Sequence, residues 1–218
     1  DPGFANDVLP LAMTSLSQQI DEVRCQEIAD YSTYYQPVVM SQLFGFGQPM
    51  DAPAALTTPG VLSLAWGSVV RQLAAGLDVQ LDEKLVERIE KVPADKDYST
   101  VSCEIPQGTL AALRFEVAGQ VDGVDRVVLE HYTRTHPEQC PDWPTPAEGD
   151  GCYRILITGE PQMAVEFSHH ARDGDHNVSG MIVTAQRLVN SVPAVVAAEP
   201  GIITALDLPL VTGRGLVG

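Results

Sequence analysis

Four stretches of the chain place apolar side chains at helical spacing, which gives a helix one buried face. The predicted helices span residues 7–20, 36–46, 59–76 and 178–192. Pro59 suits the start of the third helix and Gly76 its end. Asp175 or Asn177 can cap the last helix, and we expect Pro193 to end it.

Strand patterns, with apolar residues alternating or in a buried run, occupy most of the remaining chain. The predicted strands span 23–32, 77–92, 98–107, 109–121, 125–136, 151–160 and 162–171. Asp122-Gly123, between two alternating runs, is the clearest of the predicted hairpin turns. Strands in such close succession favour an α+β fold with a large antiparallel or mixed β-sheet flanked by helices.

The net charge of the chain limits the classes of molecule that it can bind. Lysine and arginine number 13 against 29 acidic residues, so the formal net charge is −16. Such a chain repels phosphate backbones and anionic lipid surfaces, so we expect no nucleic-acid partner. No apolar run of the roughly 20 residues needed for a membrane span stands out, and no signal peptide is apparent. We expect a cytoplasmic protein without a membrane partner.

The four cysteines lack the spacing of a zinc site. Cys140 and Cys152 flank a proline-rich loop and either form a disulfide or stay reduced, with reduced thiols favoured in a chain of this size. The histidine-rich segment 169–177 is a solvated turn, an acid/base site or a metal site. We expect no metal, because His169 and His170 are adjacent on a strand and point to opposite faces.

Three small groups of residues are candidates for binding. Tyr31 and Tyr34 follow a buried strand, where they line a pocket mouth or cap the core at a wet edge. His176 begins an apolar helix, whose first N–H groups are free to meet a polar ligand. Thr212 and Arg214 belong to a glycine-rich tail that either contacts an anionic cofactor or is a frayed end.

Sequence motifs for cofactor binding are missing. The chain has no dinucleotide fingerprint, P-loop, G-x-S-x-G elbow or H-E-x-x-H motif. It begins Asp1-Pro2-Gly3-Phe4 without an initiator methionine. We therefore expect it to be processed or to be a piece of a longer protein.

Four segments together resemble one family. They are PGFANDVLPL, EIADYSTYYQP, PGVLSLAWGSVVRQLAAGL, and GDHNVSGMIVTAQRLVNSVPAV with ALDLPLVTGRGLV. They resemble the C-terminal part of NAD(P)-dependent amine dehydrogenases and 2,4-diaminopentanoate dehydrogenases, a group related to dihydrodipicolinate reductase. The resemblance implies that residues 1–218 form a substrate-binding and dimerisation domain whose N-terminal Rossmann domain is absent from this chain.

The resemblance also implies a reaction and a pocket wall. An amine is oxidised to a carbonyl and ammonia while NADP or NAD, bound mainly by the missing domain, takes the hydride. The pocket wall carried over from the family consists of Phe4, Tyr31, Tyr34, His176 and Asn177. No catalytic residue can be assigned on this chain.

The C-terminal tail and the subunit contacts complete what the resemblance implies. Thr212 and Arg214 would run back toward the cofactor. We expect a small-molecule amine or carbonyl substrate, and a homodimer that forms through the sheet.

Three other functions stay open at this point. The first is a non-catalytic module that binds a small molecule, and the second is a structural or dimerisation protein. The third is a reductase of C=N bonds like dihydrodipicolinate reductase, although no His-Lys substrate motif lies near the predicted pocket.

Overall fold

The computed structural model describes residues 3–217, and its centre is a six-stranded mixed β-sheet. In chain order the strands are β1 (Gln19–Asp30), β2 (Val86–Pro93), β3 (Tyr98–Ser99), β4 (Glu104–Ile105), β5 (Leu110–Val121), β6 (Val124–Arg134), β7 (Gly151–Glu160) and β8 (Met163–Ser168). The large sheet has the order β2-β5-β6-β1-β7-β8, and β3 pairs only with β4. Together with the helices below, this confirms the predicted α+β class with a mixed sheet.

Strand β1 determines the topology of the sheet. It lies between β6, to which it is parallel, and β7, to which it is antiparallel. The chain must therefore pass across the end of β1 between β6 and β7, which the proline-rich residues 137–150 do. The predicted turn between β5 and β6 is confirmed at Asp122 and Gly123, whose φ angles of 53° and 75° are those that Asp-Gly turns favour.

The helices are α1 (Val8–Thr14), α2 (Val61–Gly76) and α3 (His176–Ala197), with a π-helical turn at Val39–Phe44 and a 3₁₀ turn at Ala55–Thr57. Helix α2 covers one face of β5 and β6, and its Leu62, Val70 and Leu73 are fully buried there. The carboxylate of Glu87 accepts hydrogen bonds from the N–H groups of Gly60 and Ser63, which satisfies the start of α2.

No helix among the described residues covers the other, open face of the large sheet. A network of ion pairs crosses this face instead, centred on Glu130, which is 1% exposed. Its carboxylate accepts hydrogen bonds from Gln26, Arg24, Arg114 and Tyr132. Burial raises the pKa of Glu130, but these hydrogen bonds outweigh it and hold the pKa at about 2.

Helix α3 differs from the prediction in length and in exposure. It begins at His176 and continues through Pro193 to Ala197, so the expectation that Pro193 ends it is wrong. The neighbouring residues are exposed, so the carbonyl that Pro193 leaves unpaired can be hydrated. Several apolar side chains of α3 face outward, among them Met181, Ile182, Leu188, Val189, Val192 and Val196.

The length of α3 bears on the membrane prediction. Of the described helices, α3 alone is long and apolar enough to cross a membrane by length and composition. The sequence pattern did not predict this, because it ended the helix at residue 192. A single helix of this kind is weak evidence for a membrane span, because helices of soluble proteins pass the same test.

The N-terminal prediction was too long for the helix and too short for the strand. Helix α1 ends at Thr14 rather than at residue 20, and β1 already begins at Gln19. The N–H of Gln18 donates to the carbonyl of Glu160, which begins the pairing with β7. The β-ladder therefore recruits polar residues that sequence periodicity assigned to the helix.

Two predicted strands are shorter or divided. The predicted strand 77–92 is extended only from residue 86 onward, because residues 77–85 loop back to the β5–β6 turn. There the carboxylate of Asp82 accepts hydrogen bonds from the N–H groups of Asp122 and Gly123. The predicted strand 98–107 is a small hairpin, divided where the Thr100 hydroxyl accepts from the backbone.

All four cysteines are free, so the disulfide left open between Cys140 and Cys152 does not form. Cys152 is buried on the open face beside Ile28 and Tyr132. Burial raises the pKa of Cys152 to about 12 and that of Cys140 to about 11, so both are thiols at neutral pH.

Candidate functional site

A cavity of about 490 Å³ lies where the end of β1 meets the first half of α3. Its lining residues are Glu27, Tyr31, Tyr34, Tyr153, His176, Asn177, Gly180, Met181, Thr184, Ala185 and Leu188. Glu27, His176 and Asn177 are less than 9% exposed, whereas Leu188 is 68% exposed. The cavity therefore has a closed end at the sheet and an open end along α3.

The start of α3 is fastened to the loop that follows β1. Asp175 caps the helix by accepting a hydrogen bond from the N–H of Val178 at 2.8 Å. The side-chain amide of Asn177 donates to the carbonyl of Asp30 and to the hydroxyl of Thr33, both at 2.9 Å. This clamp holds the predicted tyrosine loop against the helix, so the two segments form one wall.

The ring of His176 is held by stacking on His169, in space that Gly151 leaves open. Its ring lies parallel to that of His169, with centroids 4.7 Å apart, and its Nδ1 is 3.3 Å from the carbonyl of His169. A Cβ atom on Gly151 would overlap the His176 ring, so only glycine leaves room for it. Burial lowers the pKa of His169 to about 4, so that ring is neutral at pH 7.

The predicted tyrosines form an aromatic wall. The rings of Tyr31 and Tyr34 lie 4.9 Å apart, and Phe44 packs edge-on against Tyr31 at 5.8 Å. The Tyr31 hydroxyl donates to Glu27 at 3.1 Å. Burial, and then the charge of Glu27, raise the pKa of Tyr31 well above its usual value, so the hydroxyl keeps its proton. Tyr35, which directly follows Tyr34, is 72% exposed and lies outside the cavity lining.

Glu27 is the buried cavity residue that the sequence did not single out. It is 8% exposed and lies at the closed end of the cavity, beside His131, whose Nδ1 is 3.7 Å from Oε2 of Glu27. Burial raises the pKa of Glu27, whereas His131 and the hydrogen bond from the Tyr31 hydroxyl act to lower it. A charged residue inside the buried run VRCQEIAD was the available signal.

Strand register places Glu27 in a row of rings. On the helix-covered face it pairs with His131 of β6 and with Tyr153 of β7. His131 pairs in turn with Phe115, and Tyr153 pairs with Phe167. One carboxylate therefore lies in the middle of four aromatic rings that cross five strands.

Phe4 lies one ring away from the cavity. It packs edge-on against Phe167 at 5.8 Å, and Phe167 stacks with the cavity residue Tyr153 at 6.3 Å. The structure thus brings Tyr31, Tyr34 and the start of α3 together, and it places Phe4 in the layer behind them.

Thr212 and Arg214 lie apart from this cavity. Both are exposed in the C-terminal tail, and neither lines the cavity. The tail leaves them accessible, but it gives them no place in the site that the described residues form.

Within residues 3–217, no group of three or more histidine, cysteine or acidic side chains is arranged to hold a metal ion. Among the described residues, the cavity lining includes one acidic residue, Glu27, three tyrosines and one histidine, but no lysine or arginine. Such a lining suits a small cationic or amine-bearing molecule, because carboxylates and the faces of aromatic rings both attract ammonium groups.

Known proteins resemble this chain over nearly its whole length. Residues 4–215 match the 2,4-diaminopentanoate dehydrogenase C-terminal domain. An amine dehydrogenase from Streptomyces virginiae is 42% identical over 220 residues, which cover all of this chain and 61% of that protein. A 2,4-diaminopentanoate dehydrogenase from Acetoanaerobium sticklandii is 23% identical over 212 residues, covering 96% of this chain and 56% of that protein.

A solved structure has the same fold. The amine dehydrogenase from Mycobacterium smegmatis superposes with a TM-score of 0.70 at 16% identity, over 97% of this chain and 58% of that one. The chain thus spans less than two thirds of each of these proteins. The resemblance drawn from the sequence is confirmed: this chain belongs to the family of 2,4-diaminopentanoate dehydrogenase C-terminal domains.

Proposed function

We propose that this chain is the substrate-binding and dimerisation part of an NAD(P)-dependent oxidoreductase that acts on CH–NH2 groups. The observation that carries the proposal is the cavity in which Tyr31, Tyr34, His176 and Asn177 meet around the carboxylate of Glu27. Relatives named amine dehydrogenase and 2,4-diaminopentanoate dehydrogenase support amine oxidation as the reaction.

The roles of the residues follow from their contacts. The tyrosine rings and α3 form a wall that keeps water away from the substrate. Glu27 and the His176 ring supply the polar groups that orient it, and Asn177 positions the wall through its bonds to Asp30 and Thr33. Phe4 supports Tyr153 through Phe167.

A nicotinamide cofactor, NAD or NADP, accepts the hydride in such a reaction. The described residues do not fit the cofactor by themselves, because Thr212 and Arg214 are exposed and line no cavity with the tyrosines. We propose that a Rossmann domain, which precedes this chain in the native protein, binds the cofactor. The C-terminal tail would then contact only the edge of the cofactor. The 218-residue chain alone is then expected to have no turnover.

We further propose a cytoplasmic homodimer that pairs through the open face of the sheet. Support comes from the ion-pair network of Glu130, which crosses a face that no described helix covers. Sedimentation equilibrium of the native protein tests this, and a monomer at micromolar concentration would refute it.

The decisive experiment uses the full native protein with NAD+ or NADP+ and a panel of small amines, and it follows the formation of reduced nicotinamide. We expect the native protein to reduce the cofactor. His176→Ala should raise KM about 10-fold, because one group that orients the substrate is lost. Glu83→Gln, in the exposed loop 77–85 and outside the cavity lining, serves as the control and should leave kinetics unchanged. Amine binding without reduction of either cofactor would favour a non-catalytic binding module instead.

A further inference from the structure

We propose that a second cavity, at the start of β1, binds a free α-amino acid with an apolar side chain. This cavity has a volume of about 410 Å³ and lies apart from the cavity of Tyr31 and Tyr34, which we call the tyrosine cavity. Its lining residues are Ser17, Gln18, Gln19, Ile20, Asp21, Leu77, Val79, Val121, Arg126 and Val127. Ile20 precedes Glu27 of the tyrosine cavity by seven residues on β1, which is about 23 Å along a strand.

The second cavity lies where the start of β1 extends beyond its neighbour β6. The parallel ladder between the two strands begins with Val23 opposite Val127. Before that point, the carbonyl of Asp21 accepts a hydrogen bond from the guanidinium of Arg126 at 2.9 Å. Residues on both sides of this side-chain bridge line the cavity, so the bridge holds its polar edge in place.

Three parts of the fold supply the apolar walls. They are the start of β1, the residues that follow α2, and the β5–β6 hairpin, with Ile20, Leu77, Val79, Val121 and Val127 as the apolar lining residues. Ile20 and Leu77 pack against the main core, and Val127 is fully buried. Because the core holds these side chains, they offer a pre-formed surface on which an apolar ligand group can be buried.

Two opposite charges line the same cavity without pairing with each other. Arg126 donates to the backbone carbonyl of Asp21 rather than to its carboxylate, and that carboxylate accepts from the neutral amide of Gln19 at 2.9 Å. Asp125, which precedes Arg126, is engaged by Arg88 instead. A zwitterion matches this pair, because its carboxylate can bind Arg126 while its ammonium group binds Asp21. The inference does not depend on the proposed amine oxidation.

The test measures by calorimetry the binding of three probes to the full native protein: L-leucine, 4-methylpentanoate and glycine. 4-Methylpentanoate is leucine without its ammonium group, and glycine keeps both charges without the apolar side chain. We expect leucine to bind most tightly and each of the others about 10-fold more weakly. If leucine does not bind at millimolar concentration, or binds no more tightly than either of the others, the proposal is wrong.

Variants assign the two charge contacts. Asp21→Asn keeps an acceptor for Gln19 but removes the charge, so leucine affinity should fall about 10-fold while 4-methylpentanoate binds at least as tightly as before. Arg126→Gln should weaken both probes about 10-fold, and Arg126→Lys should bind leucine more tightly than Arg126→Gln does. Glu83→Gln and Lys84→Gln remove the same charges from exposed residues outside the second cavity, and they should bind leucine normally.

The same variants show where leucine binds. Leucine affinity that is unchanged in both Asp21→Asn and Arg126→Gln would overturn the proposal. A loss of leucine affinity in His176→Ala, with normal affinity in Arg126→Gln, would place leucine in the tyrosine cavity and would overturn it as well. None of these measurements requires reduction of a cofactor, so failure of the proposed oxidation and failure of this site are distinguishable.

Discussion

Replacing Gly151 with alanine tests whether the cavity wall is built as described. Gly151 lies at the start of β7, and a Cβ there would overlap the His176 ring. Its φ angle is not in the left-handed region, so alanine fits the backbone and only the side-chain overlap matters. We expect the ring to be displaced from its stack on His169, because strand and helix are both anchored.

The expected change in the free energy of unfolding is the difference between two opposing effects. Overpacking a closed site by one methyl group costs about 1–3 kcal/mol. Replacing glycine in an extended strand recovers about 0.4–1 kcal/mol through the unfolded chain. The net loss is about 1–2 kcal/mol, which for a domain of this size lowers Tm by roughly 2–8 °C.

The assay is thermal and urea unfolding of Gly151→Ala, His176→Ala and the double variant. Removing the ring should make the added methyl group harmless, so the double variant should show a coupling energy of about 1 kcal/mol or more. Gly180→Ala is the control in the same cavity, where the nearest side-chain atom to a new Cβ is 3.9 Å away. It should stabilise α3 by about 0.5–1 kcal/mol. An unchanged Tm in Gly151→Ala, or no coupling with His176→Ala, would refute this description of the wall.

Three further predictions concern titration and reactivity. Because the pKa of Glu130 is about 2 in the fold and about 4.3 in an unfolded chain, its stabilising contribution should be complete above about pH 5 and be lost as the pH falls toward 2. Glu130→Gln should flatten the acid limb of the urea-midpoint profile, and an unchanged limb would contradict the prediction. His169, whose pKa burial lowers to about 4, should stay neutral in NMR titrations down to about pH 5, and protonation near pH 6.5 would count against its burial. Cys140 and Cys152 should both titrate with a thiol reagent after unfolding without reductant, and a missing pair would reveal a disulfide.

Much of the fold was predictable because it depends on local patterns. The strands on either side of Asp122-Gly123 and the helix from Pro59 to Gly76 carry their own turn and cap chemistry. The misassigned stretches are those in which a distant partner determines the conformation. Gln19 is extended because β7 pairs with it, and residues 77–85 loop because Asp82 binds the turn of another hairpin.

The candidate site divides in the same way. Tyr31, Tyr34 and the start of α3 were placed by resemblance, and they do line one cavity. Glu27 could not be found by spacing, because its neighbours His131 and Tyr153 come from strands more than 100 residues away in the sequence. The register of three strands places this charged residue, which lies within a buried run of the sequence, at the closed end of the cavity.

Adjacent residues at the start of α3 show why a site residue cannot be given a role from its position in the sequence alone. The amide of Asn177 is engaged by the Asp30 carbonyl and the Thr33 hydroxyl, so its contribution is to hold two segments together. The ring of His176 is oriented by His169 and by the missing side chain of Gly151. The clamp thus ties α3 to the loop after β1, whereas the ring depends on β7 and on His169, so two adjacent residues have different structural partners.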